Sequence, residues 1–176
     1  DVWTFSTQEY ALIDGFETYN DDIDAKTTIF DTWIDGWTND TGSTVGYLTA
    51  PFAERTIVHS GRQSMPLAYD NSASPFYSEA ECDLGGADLT TGGAVSLRLF
   101  FQGDAANVAE TLYVAIEDGA GNVAVAAHPD PDAALADSWQ EWVIPYSELT
   151  AGGVNLSRAA TIYIGLGDRN NPNSGG

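Results

Sequence analysis

The chain has 176 residues, a length that gives one domain room for a sizeable hydrophobic core. It carries 26 Asp and Glu residues against 6 Lys and Arg residues, for a formal net charge of -20, and such a surface repels nucleic-acid phosphates and anionic lipids. The lone cysteine, Cys82, excludes intrachain disulfides. Because of this charge we expect no nucleic-acid partner. No apolar run reaches the roughly 20 residues that span a membrane, so we expect no membrane insertion.

The sequence begins with a short alternating segment that we separate from the main domain. In residues 1–8, Trp3 and Phe5 fall on one face of an extended strand. We predict a strand-like extension here and one β-domain over residues 9–176. The extension is a candidate donor strand, because an amphipathic strand can add to the open sheet edge of another molecule. Its candidate assembly residues are Val2, Trp3 and Phe5.

Short alternating segments separated by turn residues predict most of the main domain. The clearest are residues 94–101, 111–117 and 161–166, where large apolar residues alternate with polar or small ones. Weaker strand patterns occupy residues 10–17, 55–58, 64–69, 76–83, 122–127 and 139–144. Helical patterns are limited to single turns within residues 131–136 and 146–149. About ten short strands at this spacing predict an all-β fold, an antiparallel β-sandwich.

Several strings along the chain resemble bacterial secreted carbohydrate-binding modules of the jelly-roll type. The strings are LIDGFETYND, IFDTWIDGW, IVHSGRQSMPLAYDN, LYVAIEDGAGN, WQEWVIPYSEL and IYIGLGDRNNP, and they run over roughly residues 10 to 172. The resemblance implies a jelly-roll sandwich within a larger extracellular or cell-surface protein. It also makes DVWTFST similar to the last strand of a fibronectin-type module.

The same resemblance implies a closing strand with paired aspartates after the last Gly-rich turn, whereas the sequence given ends at Gly176. A sandwich without that strand has an open sheet edge and an uncovered apolar groove. Residues 1–8 of a neighbouring copy are the expected occupant. Head-to-tail donation that does not close into a ring produces a filament.

A structural calcium ion is the expected cofactor. Calcium takes about six to eight oxygen ligands, and carboxylates gather near the end of the first predicted core strand. The resemblance points to Glu17, within GFE, as a ligand, with Asp14 as its neighbour. The alternative is an ordinary solvated acidic loop, since Asn20, Asp21, Asp22 and Asp24 follow directly.

Sugar binding requires aromatic rings that stack on pyranose rings and polar side chains that hold hydroxyl groups. Two groups of residues meet this description. The first lies on the off-core faces of three strands that we expect to be adjacent, and comprises Arg98, Phe100, Tyr113 and Tyr163. The second, Trp33 and Trp37, belongs to a long polar segment over residues 20–44, and loops of that length are usually functional or stabilised by a ligand. We expect Trp139 and Trp142 to pack in the core or under loops.

Catalytic residues are not expected. Glu79, Glu81 and Asp83 share one face of the strand predicted at residues 76–83, and β-sandwich glycosidases pair carboxylates in a similar way. The order E-A-E-C-D, however, does not reproduce their signature. His59 and His128 accompany no nucleophile-elbow sequence.

Two sequons, at Asn39 and Asn155, are candidate glycosylation sites if the protein is secreted by a host that glycosylates. The sequence therefore predicts a non-catalytic extracellular module that binds a polysaccharide or other glycan. The first alternative is a structural subunit, a homo-oligomer or filament assembled by N-terminal strand donation. The second is a glycan-active enzyme.

Overall fold

The fold is that of a computed structural model, which describes residues 11–173 and residue 175. The strand-like extension over residues 1–8 lies outside the described residues, and so do the candidate assembly residues Val2, Trp3 and Phe5. Strand donation therefore stays a prediction, and so does the boundary between the extension and the main domain.

Short strands and single helical turns make up the described part of the chain. The strands are β1 (Trp33–Ile34), β2 (Ser43–Val45), β3 (Leu67–Tyr69), β4 (Tyr77–Ala87), β5 (Ser96–Phe101), β6 (Leu112–Asp118), β7 (Val123–Ala127), β8 (Gln140–Pro145) and β9 (Ala159–Gly167). The α-helical turns are α1 (Ile29–Thr32), α2 (Gly36–Asn39) and α3 (Tyr146–Leu149). Turns of 3-10 helix cover Thr91–Gly93, Ala133–Leu135, Ala151–Gly153 and Leu156–Arg158.

The strands pair antiparallel in three sheets. The largest sheet has the order β1-β4-β9-β6-β7, and the smaller ones are the pairs β2-β3 and β5-β8. The inner face of the large sheet supplies buried residues such as Val114, Ile116 and Ile162, and the β5–β8 pair supplies Trp142 and Ile144 to the same hydrophobic cluster. These sheets enclose one core, so the predicted all-β, sandwich-like fold is confirmed. The jelly-roll connection stays a prediction.

The strong strand patterns are confirmed and two weak ones are wrong. Residues 11–17 contain no strand; there the Asp14 side chain accepts a hydrogen bond from the Phe16 backbone, and Phe16 has a φ of 60°. Residues 55–58 contain none either, because the Glu54 carboxylate accepts hydrogen bonds from two backbone N–H groups in that turn. Side-chain bonding to the local backbone competes with a strand ladder.

The segment over residues 20–44 is more ordered than predicted. It contains α1, β1, α2 and the start of β2, and β1 forms the edge of the large sheet beside β4. The Asp35 side chain caps α2 by accepting from the Trp37 backbone N–H at 3.1 Å and also accepts from Val45 N at 2.7 Å. The buried Asp35 carboxylate thus links α2 to β2, and it orders a segment whose sequence shows no strand alternation.

Candidate functional site

One face of the large sheet carries polar side chains that the strand register places in rows. Glu79 on β4 pairs with Gly165 on β9, and Gly165 pairs in turn with Tyr113 on β6. Directly paired residues point to the same side of a sheet, so these three form one row. The next row pairs Glu81 with Tyr163. We call the following residues the tyrosine–carboxylate network: Glu79, Tyr113, Glu117, Tyr163 and Arg169.

Tyr113 reaches Glu79 because the residue between them is glycine. The Tyr113 hydroxyl donates a hydrogen bond of 2.7 Å to Glu79 Oε1 across β9. A Cβ atom on Gly165 would lie 2.3 Å from Cζ of the tyrosine ring. Tyr113 is 1% exposed and Glu79 is 3% exposed. Burial raises the pKa of Glu79, while the hydrogen bond from Tyr113 and the charge of Arg169 oppose that shift.

Arg169 closes the network from the segment that follows β9. Its Nη1 atom lies 3.0 Å from Glu79 Oε1, but the nitrogen makes no hydrogen bond with acceptable geometry among the described residues. We therefore describe the contact as an ion pair. The guanidinium also lies over the Tyr163 ring, 4.6 Å from its centroid, in cation–π geometry. A buried carboxylate needs a partner of opposite charge, and Arg169 supplies it.

The expected exposed platform at Tyr113 and Tyr163 is wrong. Tyr163 is 8% exposed, and its hydroxyl donates a hydrogen bond of 2.7 Å to Glu117 Oε2. Burial, then the hydrogen bond to Glu117, raises the pKa of Tyr163 to about 12. Both tyrosines lie on interior strands of the five-stranded sheet, and these strands are buried on both faces. The expected three-strand platform does not form either, because the strand of Arg98 and Phe100 belongs to another sheet.

The prediction that Trp33 contacts a ligand at the surface is also wrong. It is 2% exposed, pairs with Cys82 in the register of β1 and β4, and donates from Nε1 to Asp14 Oδ2 at 2.8 Å. Cys82 is a free, buried cysteine. Trp37 is by contrast 82% exposed, on a helix that packs beside β1, β2 and β4. Trp142 is buried in the core as expected, at 6% exposed.

A depression of about 320 Å³ lies on the same face of the sheet as the network. Its lining residues are Asp31, Thr32, Ile34, Glu81, Asp83 and Thr161. Burial raises the pKa of Glu81, and the charge of Arg169 opposes this shift. The lining holds carboxylates and hydroxyls but no aromatic ring. It therefore lacks the stacking surface that a sugar ring requires.

The outer face of the β5–β8 pair is different, because its side chains point to solvent. Arg98 pairs with Val143, and Phe100 pairs with Glu141. Arg98, Phe100, Glu141 and Val143 are all exposed, while Leu97, which directly precedes Arg98 on β5, is buried in the core. The alternation read from the sequence is confirmed here. We call the following residues the aromatic face: His59, Arg98, Phe100, Trp139, Glu141 and Val143.

Three rings gather at one end of the aromatic face. The His59 ring stacks on Phe100 with centroids 4.0 Å apart and planes 18° apart, and Trp139 meets His59 edge-on at 5.4 Å. Phe100 remains 41% exposed even with His59 stacked on it. His59 comes from the loop after β2 and Trp139 directly precedes β8. The fold therefore assembles an aromatic cluster from segments far apart in sequence, with His59 and Phe100 exposed and Trp139 half-buried.

An ion pair lies next to this cluster. Arg98 Nη1 is 2.8 Å from Glu141 Oε1, and the side chains are 60% and 42% exposed. An exposed pair of this kind contributes only about 0–1 kcal/mol to stability. Stability therefore does not account for it. It leaves one donor group and one acceptor group beside an apolar ring, on a surface open to solvent.

The carboxylates predicted to bind calcium accept hydrogen bonds within the protein. Asp14 Oδ1 accepts from the Phe16 backbone at 2.7 Å, and Oδ2 accepts from the Tyr19 hydroxyl and from Trp33 Nε1. Hydrogen-bond donors thus already face both oxygens, where a cation would need lone pairs. Among the described residues, no group of three or more His, Cys, Asp or Glu side chains is arranged to hold a metal.

Glu17 has a role that needs no metal. Its Oε1 accepts from the backbone N–H groups of Arg62 and Gln63 at 2.8 and 3.2 Å, and its Oε2 lies 3.2 Å from Arg62 Nε. These contacts, led by the backbone hydrogen bond from Arg62, lower the pKa of Glu17. A Cβ atom on Gly61 would lie 2.3 Å from the same carboxylate. Glu17 therefore holds the turn over residues 59–64 in place, and calcium binding stays a prediction.

The two sequons differ in how accessible their amide nitrogens are. Asn39 Nδ2 donates to the Glu79 carbonyl at 3.1 Å, which ties it to β4. Asn155 is exposed, and its Oδ1 accepts from the Ser157 backbone and hydroxyl. Of the two candidates, the geometry favours Asn155 as the acceptor.

Comparisons with known proteins assign no family. No protein-family model matches the chain, and no curated protein is significantly similar to it in sequence. In the described part of the chain, no helix is long and apolar enough to cross a membrane.

The sequence reading missed His59, Trp139 and Glu141 at the aromatic face, and Arg169 in the network. A signal for the network was present, because Gly165 interrupts a strong strand pattern, and glycine within a strand often marks a close approach by another group. No comparable local signal placed His59 beside Phe100. That contact depends on how the loop over residues 46–66 crosses the fold.

Proposed function

We propose that this chain is a non-catalytic carbohydrate-binding module that takes a glycan on its aromatic face. The observation that carries the proposal is the exposed stack of His59 on Phe100 beside the exposed pair of Arg98 and Glu141. Aromatic rings bind the apolar faces of pyranose rings, and nearby donors and acceptors bind the hydroxyl groups. The aromatic face offers both together, whereas the polar groups of the network are bonded to one another.

The shape of this face favours a linear polysaccharide. Ser96, Arg98 and Phe100 point to the same side of β5, and a strand rises about 3.4 Å per residue, so the strip from Ser96 to Phe100 is about 14 Å long. Arg98, Phe100 and Glu141 stand on paired strands rather than on loops, which keeps their spacing fixed. A polysaccharide lying along the strand direction would meet the rings at one end and the ion pair further along.

Catalysis is not part of the proposal. Glu79 is 3% exposed and is held by Tyr113 and Arg169. To act on a substrate, it would have to lose both partners. We propose an extracellular or cell-surface location, because polysaccharides are found there.

Affinity electrophoresis through gels that contain single soluble polysaccharides tests the proposal. We expect at least one neutral polysaccharide to retard the protein and Phe100→Ala to weaken that binding about tenfold, since a stacked ring contributes roughly one such factor. Leu48→Ala is the matched control, because Leu48 is another exposed apolar residue, at 84%. Trp37→Ala tests whether Trp37, the other exposed aromatic residue that the sequence predicts to bind sugar, contributes to polysaccharide binding. The proposal is wrong if no polysaccharide retards the protein, or if Phe100→Ala behaves like Leu48→Ala.

A further inference from the structure

We infer that the pair of Arg98 and Glu141 makes the aromatic face selective for uncharged glycans, and that Glu141 is the residue that excludes acidic ones. The inference rests on the proposed function and adds the ligand class and the residue that sets it. It starts from the position of the pair. Glu141 is the direct cross-strand neighbour of Phe100, and Arg98 lies two residues away on the same side of β5.

An arginine beside an aromatic ring would ordinarily favour an acidic ligand. Its guanidinium is planar and presents five N–H donors that match a carboxylate in two-point contact. At this face the guanidinium is already engaged, because Arg98 Nη1 lies 2.8 Å from Glu141 Oε1. A uronate or sulfate group would have to displace Glu141 or lie beside it. Either outcome places like charges together, and this is how proteins reject a wrong ligand.

A neutral glycan meets no such obstacle. Hydroxyl groups both donate and accept, so they can bond to the outer N–H groups of Arg98 and to the Glu141 carboxylate without breaking the pair. The two charges cancel within the face, and both side chains remain accessible, at 60% and 42% exposed. The overall charge of -20 adds a long-range repulsion against acidic polymers. Local pairing and overall charge therefore act in the same direction.

Glu141→Gln separates these two effects. It frees Arg98 while it changes the overall charge by one unit. Affinity electrophoresis in polygalacturonate and in a neutral galactomannan or mixed-linkage β-glucan measures the result. We expect the wild-type protein to bind a neutral polymer and not polygalacturonate. The variant should bind polygalacturonate about tenfold more tightly than the wild type, through a charge-assisted contact to Arg98, and added salt should weaken that binding.

Two further proteins control the experiment. Glu148→Gln makes the same change in charge at an exposed position on α3, so it should leave polygalacturonate binding unchanged. Arg98→Gln combined with Glu141→Gln should remove the gain. The inference is overturned if Glu148→Gln gains binding equally, if the double variant keeps the gain, or if Glu141→Gln gains nothing while the wild type binds a neutral polymer. Failure of the wild type on every neutral polymer would instead contradict the proposed function.

Discussion

The tyrosine–carboxylate network and the aromatic face share one arrangement of side chains, but they differ in how much of it is exposed to solvent. Each contains an arginine paired with a glutamate beside an aromatic ring. In the network, the side chains of Arg169 and Glu79 are 20% and 4% exposed, while those of Arg98 and Glu141 are 60% and 42% exposed. A buried pair fixes structure, because losing either partner leaves a charge in the interior. An exposed pair costs little to rearrange and can bind a ligand.

The largest predicted effect comes from breaking the buried pair. Arg169→Met should lower the free energy of unfolding by about 3 kcal/mol, because Glu79 would be left buried beside no cation. Arg98→Met, the same substitution at the exposed pair, should change the free energy of unfolding by less than about 1 kcal/mol. Urea denaturation of both variants at pH 7 measures the difference. Equal losses would mean that the two arginines do not differ in role.

A smaller effect is predicted where Tyr113 crosses β9. Tyr113→Phe should cost about 1–3 kcal/mol, because Glu79 loses a buried hydrogen bond. Gly165→Ala should cost a similar amount, about 1–3 kcal/mol, since its methyl group would displace the Tyr113 ring. If the ring is displaced, the hydrogen bond is already lost, so Tyr113→Phe should cost less in the Gly165→Ala background than alone.

Thermal or urea denaturation of the two single variants and the double variant checks this coupling. Phe100→Leu serves as the control on the open face and should change the free energy of unfolding by no more than about 0.5 kcal/mol. Strict additivity of the Tyr113 and Gly165 substitutions would contradict the geometry of the crossing.

Periodicity was enough to predict most of the fold. Residues 94–101, 111–117 and 161–166 alternate strongly, and each became a strand because burying one face of a strand drives its pairing. The weak pattern at residues 10–17 failed, since Asp14 bonds to its own backbone neighbourhood there. Alternation reports burial on one face of a strand and says nothing about competing hydrogen bonds from a side chain.

The candidate site was harder to predict for a related reason. Alternation places Tyr113 and Tyr163 opposite core residues, but it does not show whether that opposite face is open. Neighbouring side chains cover it here, with Arg169 lying over Tyr163. Phe100 and Arg98 follow the same pattern on a strand with one partner in the described part of the chain, and they remain exposed. Which strands end up inside a five-stranded sheet depends on tertiary pairing that no local pattern contains.

The smallest predicted effect is a pH dependence of stability that Glu79 contributes. Burial raises the pKa of Glu79 above its ordinary value of 4.5, so above that pH the folded protein holds a proton that the unfolded chain has released. The resulting stability is fully present below pH 4.5 and is lost as the pH rises through the folded pKa. Asp118 behaves in the opposite sense. Hydrogen bonds, first from the Asn122 side chain and then from the Asn155 backbone, lower its pKa, so its contribution is lost only as the pH falls.

Glu79→Gln isolates the contribution of Glu79, because Asp118 is common to both proteins. The difference in the free energy of unfolding, wild type minus variant, should decrease as the pH rises from 4.5 toward 8, measured by urea denaturation at closely spaced pH values. The slope should be modest, since the hydrogen bond from Tyr113 and the charge of Arg169 offset part of the burial effect. A difference that grows with pH at Glu79 would mean that the ion pair with Arg169 outweighs burial, and the network would then resemble an ordinary salt bridge.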